Sequence, residues 1–392
     1  MFCINRRLLC LILAFVLLTS CEPKPNIARH PAVVNYSIIN PDPTPPPPYN
    51  PNSHNPFQID YRSADLSQLD LSDSLDGLLY SDFDSKTVWP PAERLPAGFD
   101  PQEILELGKD PGLGVRALHE QGITGEGVSI AIIDQTLLVD HQEYLDRIMW
   151  YEETEAAGAS AMHGPAVASI AVGRTVGVAP GADLYFLADN DMGDYTHLAA
   201  SVRRIIAINQ DLPRGHKIRV LSMSIGWMPT SSEYEEIHAA VEEAKAAGIF
   251  VISVSLDDTY GWYMMGMGRS ALADPNDFTS YTPSPWWSEE FYSMPDFLSY
   301  DCLLLPMDAR ATASPTGLDD YVFYGVGGMS WTAPYLAGVY ALAVQVKPDI
   351  TPEEFWTTAL ATGRTTQIEH DGDMYPFGII LDPPALIEAL GE

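Results

Sequence analysis

The chain has 392 residues, and 46% of them are hydrophobic, which is enough to bury the core of one large α/β domain. Its 53 acidic and 21 basic residues give a formal net charge of -32. Nucleic-acid binding is therefore excluded, because phosphate contacts require clustered Lys and Arg. A disulfide scaffold is excluded as well, since three of the four cysteines lie in the first 21 residues.

Residues 1–21 are typical of an export signal peptide. Arg6 and Arg7 form a basic start, and the apolar run Leu8–Leu18 is too short for a stable spanning helix. Residues 18–21 (LTSC) resemble a bacterial lipobox, which implies that Cys21 carries lipid and anchors the protein to the cell membrane, outside the cytoplasm. The alternative is an ordinary signal peptide that happens to end near a cysteine.

Two segments separate this leader from the body of the chain. Residues 22–64 are Pro-rich, which favours extended polyproline II, so they are predicted to be a semi-rigid tether. A proline-rich ligand for another domain is the alternative. Residues 65–100 are predicted to be a linker or pro-segment. Within them, the leucine-rich stretch 65–84 forms either an amphipathic helix or a belt docked on the domain.

Residues 101–392 alternate short apolar runs with helical patterns, which predicts an α/β domain with a mostly parallel sheet covered by helices. The predicted strands are Val128–Ile133, Asp183–Leu187, Val220–Ser224 and Ile249–Val254. The predicted helices are Gly164–Val172, Tyr195–Ile208, Ser232–Ala247, Trp331–Val346 and one that begins after Thr351.

Three polar residues stand at the ends of these elements. Asp134 closes a buried strand, His163 opens a helix of small residues, and Ser330 follows paired glycines before an apolar helix. Each alone has a plainer explanation: a strand-end cap, a structural histidine and a helix N-cap. Together, in this order on one α/β chain, they favour a nucleophilic catalytic set.

These motifs resemble those of the subtilisin-like serine peptidases, over about residues 110 to 390. The matching blocks are Gly125 to Asp134, with His141 beyond it; His163 to Ala168, followed by residues 177–182 (GVAPGA); and Gly328, Ser330 and Pro334. The resemblance implies a three-layer sandwich with a mostly parallel central sheet flanked by helices.

The resemblance also implies a serine endopeptidase that acts on polypeptides. Ser330 would attack the peptide carbonyl, His163 would transfer the proton, and Asp134 would orient the imidazole. The backbone of Ser224, Ile225 and Gly226 would pair with an extended substrate. We expect a monomer.

One position departs from the family pattern. The residue that corresponds to the family's oxyanion-binding Asn is Asp257, and loss of such a donor costs about 10²–10³ in rate. Three alternatives stay open. Asp257 is buried, protonated and donates a hydrogen bond; the alignment is shifted and another donor serves; or the chain is a weak or inactive pseudoprotease that binds peptides.

Two further features are left open by the sequence. Calcium is common in the family, but the acid-rich turns 189–191 and 371–373 match no loop that can be assigned, so metal ligands stay unknown and no other cofactor is expected. The aromatic-rich insertion Tyr260 to Tyr300 is either an elaborated loop packed on itself or a wall of the substrate cleft.

Overall fold

The computed structural model describes residues 24–36, 42–50, 59–154, 159–191, 193–294, 297–298 and 301–391. The predicted signal peptide and the lipid-attachment residue Cys21 lie outside these residues. Within the described ranges, no helix combines the length and apolar character needed to cross a bilayer.

The secondary structure comprises strands and helices that alternate through the body of the chain. The strands are β1 (Asn26–Ile27), β2 (Phe83–Asp84), β3 (Ser129–Asp134), β4 (Ile148–Glu153), β5 (Asp183–Ala188), β6 (Ile218–Met223), β7 (Phe250–Ser253), β8 (Tyr263–Arg269), β9 (Tyr281–Pro283), β10 (Cys302–Pro306), β11 (Arg310–Ala313), β12 (Tyr321–Tyr324), β13 (Arg364–His370) and β14 (Asp373–Ile380). The helices are α1 (Leu75–Leu79), α2 (Pro101–Gly108), α3 (Val115–Glu120), α4 (His163–Val172), α5 (Tyr195–Asp211), α6 (Tyr234–Ala246), α7 (Leu256–Tyr260), α8 (Ser288–Ser293), α9 (Thr332–Val346), α10 (Pro352–Thr362) and α11 (Pro383–Gly391).

The central sheet is parallel throughout and has the order β1-β4-β5-β3-β6-β7. Along β3, Ile130 and Ile132 join the core that contains α4 and α9, whereas Ala131 and Ile133 join the core that contains α5 and α6. Successive side chains of a strand point to opposite faces, so this run must be apolar on both sides. The predicted three-layer α/β architecture is confirmed.

The predicted elements are present, with ends that differ by a few residues. Thr351 caps α10 by accepting a hydrogen bond from the Glu354 N–H at 3.1 Å, and Pro352 occupies the first helical position. The long apolar helix α9 begins at Thr332, one residue later than predicted, because residues 329–331 form a 3-10 turn.

The aromatic-rich insertion is more ordered than either sequence interpretation assumed. It contributes β8, β9 and α8, and β8 lies inside a second sheet of order β13-β14-β10-β8-β9. Trp287 and Phe291 are buried against Phe377 of β14. Gly266 and Gly268 interrupt the apolar pattern of β8, which is why the sequence did not indicate a strand there.

Residues 59–100 pack against the body of the domain. β2 pairs with β12, placing Phe83 opposite Phe323, and Leu66, Leu71 and Leu78 are buried. Only Leu75–Leu79 is helical, so of the two alternatives for residues 65–84 the docked belt describes the structure.

Part of the Pro-rich segment also contacts the domain. β1 extends the central sheet beside β4, and Arg29 makes two hydrogen bonds with Glu153, at 2.7 and 2.9 Å. The division of the chain at residues 64 and 100 stays a prediction.

The buried side chain of Glu143 joins three separate parts of the fold. It accepts hydrogen bonds from the Thr175 N–H and hydroxyl at 2.8 and 2.6 Å, and from the Tyr321 hydroxyl at 2.5 Å. Burial alone would raise the pKa of Glu143, but these hydrogen bonds outweigh it and hold the pKa below its ordinary value of 4.5. Folding therefore favours the ionised form.

Glu143→Gln should lower the free energy of unfolding by about 2 kcal/mol near neutral pH, because hydrogen bonds to a charged acceptor are lost. The folded-state pKa is depressed, so this contribution is present above the ordinary value of 4.5 and disappears as the pH falls through the folded value. Urea unfolding of both proteins near neutral pH and at about pH 3 measures this, with the exposed Glu120→Gln as the matched control. An equal loss at both pH values would contradict the charge argument.

Candidate active site

Asp134 and His163 are held together at the carboxyl end of β3, an interior strand of the central sheet. Asp134 is the last residue of β3 and is fully buried, and its Oδ1 lies 2.7 Å from Nδ1 of His163, the first residue of α4. The next residue has to be glycine: a Cβ on Gly164 would lie 2.2 Å from the carbonyl oxygen of Gln135. The His-Gly pair thus allows α4 to begin directly against the end of β3.

The electrostatics of this pair favour a charged imidazole. Burial lowers the pKa of His163, but the charge of Asp134 and its hydrogen bond raise it more, so the pKa lies above the ordinary 6.5. Asp134 Oδ1 also accepts from the Gln135 N–H at 2.8 Å. The carboxylate is therefore suited to fix the tautomer and orientation of His163.

Ser330 lies in the 3-10 turn that precedes α9. Its Oγ donates to the Ser224 carbonyl at 3.4 Å, and the Ser224 Oγ donates to the Ser330 carbonyl at 2.7 Å. The ring of the neighbouring Trp331 is 5.3 Å from the His163 ring, centroid to centroid. The structure therefore brings the three predicted residues to one place. Among the described residues, the hydrogen bond that Ser330 Oγ donates goes to the Ser224 carbonyl, and none joins it to His163.

The segment Ser224 to Gly226 continues from the end of β6 past Ser330. The Ile225 carbonyl accepts from the Val254 N–H at 3.1 Å, and the Gly226 carbonyl accepts from the Tyr195 hydroxyl at 3.4 Å. A Cβ on Gly226 would lie 2.8 Å from Val254, so this backbone packs closely on the segment that follows β7. The predicted substrate-binding residues are thus adjacent to the predicted nucleophile.

The placement of Asp257 contradicts one premise of its predicted role. Leu256 opens the one-turn helix α7 and points into the core, which leaves Asp257 exposed on the outer side. The hypothesis of a buried, protonated donor is wrong in its assumption of burial, while the assignment of Asp257 to the oxyanion site stays a prediction. The half-buried acid here is Asp258, which accepts from Trp227 Nε1 at 2.8 Å and from the Tyr234 hydroxyl at 2.7 Å.

The sequence did not indicate a contact between Trp286 and Gly327, which lies in the loop before Ser330. Trp286 Nε1 donates to the Gly327 carbonyl at 2.7 Å, and 44% of the tryptophan is exposed. The insertion thus has a buried half around Trp287 and one aromatic side chain, Trp286, hydrogen-bonded to the loop that leads to Ser330. The adjacent tryptophans were a signal, but the pattern did not say which one faces outward.

The acid-rich turns have structural explanations. The ligand atoms of Asp191, Asp194 and His197 lie within 4.8 Å of one another. However, Asp194 caps α5 by accepting from the Thr196 and His197 N–H groups. Asp371 and Gly372, both with positive φ, form the turn between β13 and β14. Neither turn identifies a metal site, so calcium ligands stay unassigned.

Comparison with known proteins agrees with the motifs. The model of the subtilase family matches residues 125–284. The chain is 26% identical to the serine protease AprX of Bacillus subtilis over 306 residues, which is 66% of each chain. Over residues 125–284, the chain is similar to the subtilase family.

Two further comparisons show how far this chain matches other proteins. It is 26% identical to an extracellular serine proteinase of a Thermus species, over 67% of this chain and 61% of the relative. It thus spans less than two thirds of the length of these curated relatives. Among solved structures, the PatG macrocyclase in complex with peptide aligns with a TM-score of 0.49 and 14% identity, over 71% of this chain and 96% of that one.

Asp134→Asn should lower the pKa of His163 to below its ordinary value. The substitution removes the charge that raises the pKa but leaves the burial that lowers it. NMR titration of the imidazole protons measures the change. His119, which lies against the Val178 carbonyl, is the internal control and should keep its pKa. An unchanged His163 titration would show that Asp134 does not set its charge.

Proposed function

We propose that this protein is a subtilisin-like serine endopeptidase that hydrolyses peptide bonds through an acyl-enzyme intermediate. The observation that carries the proposal is the hydrogen bond between the buried Asp134 and the half-buried His163. The His163 ring packs beside Trp331, which follows Ser330 in the chain. A positioned base, oriented by a buried acid and adjacent to a hydroxyl at a helix start, is the arrangement that activates a serine nucleophile.

Catalysis would proceed by stepwise proton transfer. Rotation about χ1 of Ser330 takes Oγ from the Ser224 carbonyl towards His163, since serine rotamers exchange readily. His163 accepts the hydroxyl proton as Oγ attacks the peptide carbonyl, then gives it to the leaving amine. Asp134 stabilises the imidazolium meanwhile. Water, activated by His163 in turn, releases the acyl group from Ser330.

The developing oxyanion would be stabilised at the start of α9. Ser330 lies just before this helix, whose amino-terminal end carries partial positive charge. Asp257 is exposed, and a carboxylate only accepts hydrogen bonds, so it supplies no donor to an oxyanion. A turnover below that of an enzyme with a side-chain donor is therefore part of the proposal.

The proposed substrates are extended polypeptides. Segment 224–226 supplies backbone for pairing with a substrate strand, and Trp286 offers an apolar surface at the loop that leads to the nucleophile. Acids outnumber bases by 32 over the whole chain, which favours basic peptides over acidic ones. The enzyme is proposed to act as a monomer.

The proposed location is the outer side of the bacterial cell membrane, through a lipid on Cys21. Support comes from the leader alone: a basic start, a short apolar run and residues 18–21 (LTSC). Several acyl chains on one residue hold a protein at a bilayer against the repulsion of its negative charge, at about 0.8 kcal/mol per buried CH₂.

A catalytically weak or inactive pseudoprotease that binds peptides is the second candidate. It is favoured by two observations: the hydrogen bond of Ser330 Oγ goes to Ser224, and the position of the expected oxyanion donor is an exposed acid. The complete set of Asp134, His163 and Ser330 favours the enzyme.

A fluorophosphonate probe should label the wild-type protein at Ser330, and Ser330→Ala should remove all labelling. The labelling rate should fall as the pH decreases through the raised pKa of His163, because only neutral imidazole accepts the proton. The exposed Ser293→Ala is the matched control and should label normally. A folded wild-type protein that is neither labelled nor able to cleave an unstructured protein would favour the pseudoprotease.

Cys21→Ser should release the protein from the membrane fraction of a bacterial host. Detergent phase separation and incorporation of labelled palmitate measure this, and Cys10→Ser, which lies within the apolar run of the leader, is the control. Equal palmitate incorporation by Cys21→Ser and wild type would contradict the anchor but leave the peptidase proposal intact.

A further inference from the structure

Two buried carboxyl groups hold the glycine-rich loop that leads to Ser330. The Gly325 N–H donates to Asp82 Oδ1 at 3.0 Å, and the Gly327 N–H donates to Asp308 Oδ1 at 2.8 Å. The Gly327 carbonyl in turn accepts from Trp286. Three side chains thus hold the backbone of Gly325 and Gly327, a few residues before the nucleophile.

Two glycines of this loop are also packed tightly against neighbouring backbone. A Cβ on Gly325 would lie 2.6 Å from the carbonyl carbon of Tyr80, and one on Gly327 would lie 2.3 Å from the carbonyl oxygen of Met307. Each glycine therefore lies against the backbone that carries the carboxyl group it contacts, since Tyr80 precedes Asp82 and Met307 precedes Asp308. The segment that supplies Asp82 lies before residue 125, where the match to the family begins.

The surroundings of Asp82 favour its neutral form. Burial raises its pKa well above the ordinary range, while Arg62 opposes this and the carboxyls of Asp60 and Asp308 add to it. The phenol of Tyr324 also lies near the Asp82 carboxyl group. A protonated carboxyl still offers one acceptor to Gly325, as a carboxamide would.

The surroundings of Asp308 place its titration in the neutral range. Burial raises its pKa to about 7, while the Gly327 N–H, the Ser284 hydroxyl and the positive charge of Arg269 oppose the shift. Asp82 and the phenols of Tyr49 and Tyr80 are the other titratable groups that face it. A neutral carboxyl accepts a weaker hydrogen bond from Gly327 than a carboxylate does.

Stability alone is a poor reason for two acids in this interior. Burying acids is costly, and well-packed apolar replacements of buried charged groups are often as stable or more so. What these carboxyls provide is a fixed direction for the N–H groups of two glycines, which have no side chains of their own to anchor them. A catalytic serine needs its Oγ placed to within a fraction of an ångström.

We propose that Asp82 and Asp308 are positioning residues for Ser330, which makes residues 59–100 a working part of the catalytic unit and not a removable pro-segment. This inference rests on the proposed peptidase function. It predicts that the chain is active with this segment attached.

The test of Asp82 compares a variant that removes the acceptor with one that keeps it. Asp82→Leu should slow fluorophosphonate labelling of Ser330 by about tenfold or more, whereas Asp82→Asn should stay within roughly threefold of wild type. In peptide hydrolysis the loss should appear in kcat and not in KM, because the substrate-binding segment is untouched. The exposed Asp73→Asn, on the same segment, is the matched control and should behave as wild type.

The test of Asp308 is the pH dependence of the same reaction. In wild type, protonation of His163 and of Asp308 both slow labelling, so the acid limb of the profile should be steeper than one proton allows. Asp308→Asn should leave a one-proton limb that belongs to His163. This readout holds even if Asp82→Leu does not fold, and a merely structural role would not change it.

The outcomes separate the two proposals. If wild type labels but a folded Asp82→Leu labels equally fast, or Asp308→Asn has the wild-type profile, the positioning role is overturned and the peptidase stands. If folded wild type does not label at all, the peptidase proposal fails, and the positioning proposal fails with it for want of a reactive serine.

Discussion

The arrangement of the whole site depends on the hydrogen bond between the buried carboxylate of Asp134 and the imidazole of His163. A carboxylate with no exposure is costly unless it is hydrogen-bonded, and its partners are this imidazole and one backbone N–H. The bond requires α4 to begin against the end of β3, which only a residue without Cβ at position 164 allows. One chemical requirement thus fixes the position of a helix against the central strand.

The position of Ser330 follows from the same sheet. β6 lies next to β3, and neighbouring parallel strands end at the same edge, so Ser224 emerges beside Asp134. The paired hydrogen bonds between Ser224 and Ser330 then attach the start of α9 to that edge. Because α9 packs on α4, the helix that carries His163 and the helix that follows Ser330 support each other.

The sequence predicted what local pattern determines. The β3 run, with apolar residues facing both layers, and the small residues after His163 identified the strand and helix that carry the pair. It could not predict contacts between distant segments. Neither Asp82 nor Asp308 has a local signature, since each is defined by a glycine N–H far along the chain. The exposure of Asp257 likewise depends on how Leu256 turns inward at the start of α7.

The strong acidity of the chain has a different meaning inside the fold and on its surface. Burial shifts the pKa of Asp82 and Asp308 upward, so near neutral pH these acids carry less negative charge than the formal count of -32 assigns them. Exposed carboxylates such as Asp257 keep solvent around them, and charges further apart than about 8 to 10 Å are largely screened at physiological salt. An oxyanion forming at Ser330 would therefore meet a weaker repulsion than the composition suggests, while the surface acids still attract a basic peptide. Composition fixes the sign of the field around the protein, and burial decides how much of it reaches the proposed nucleophile.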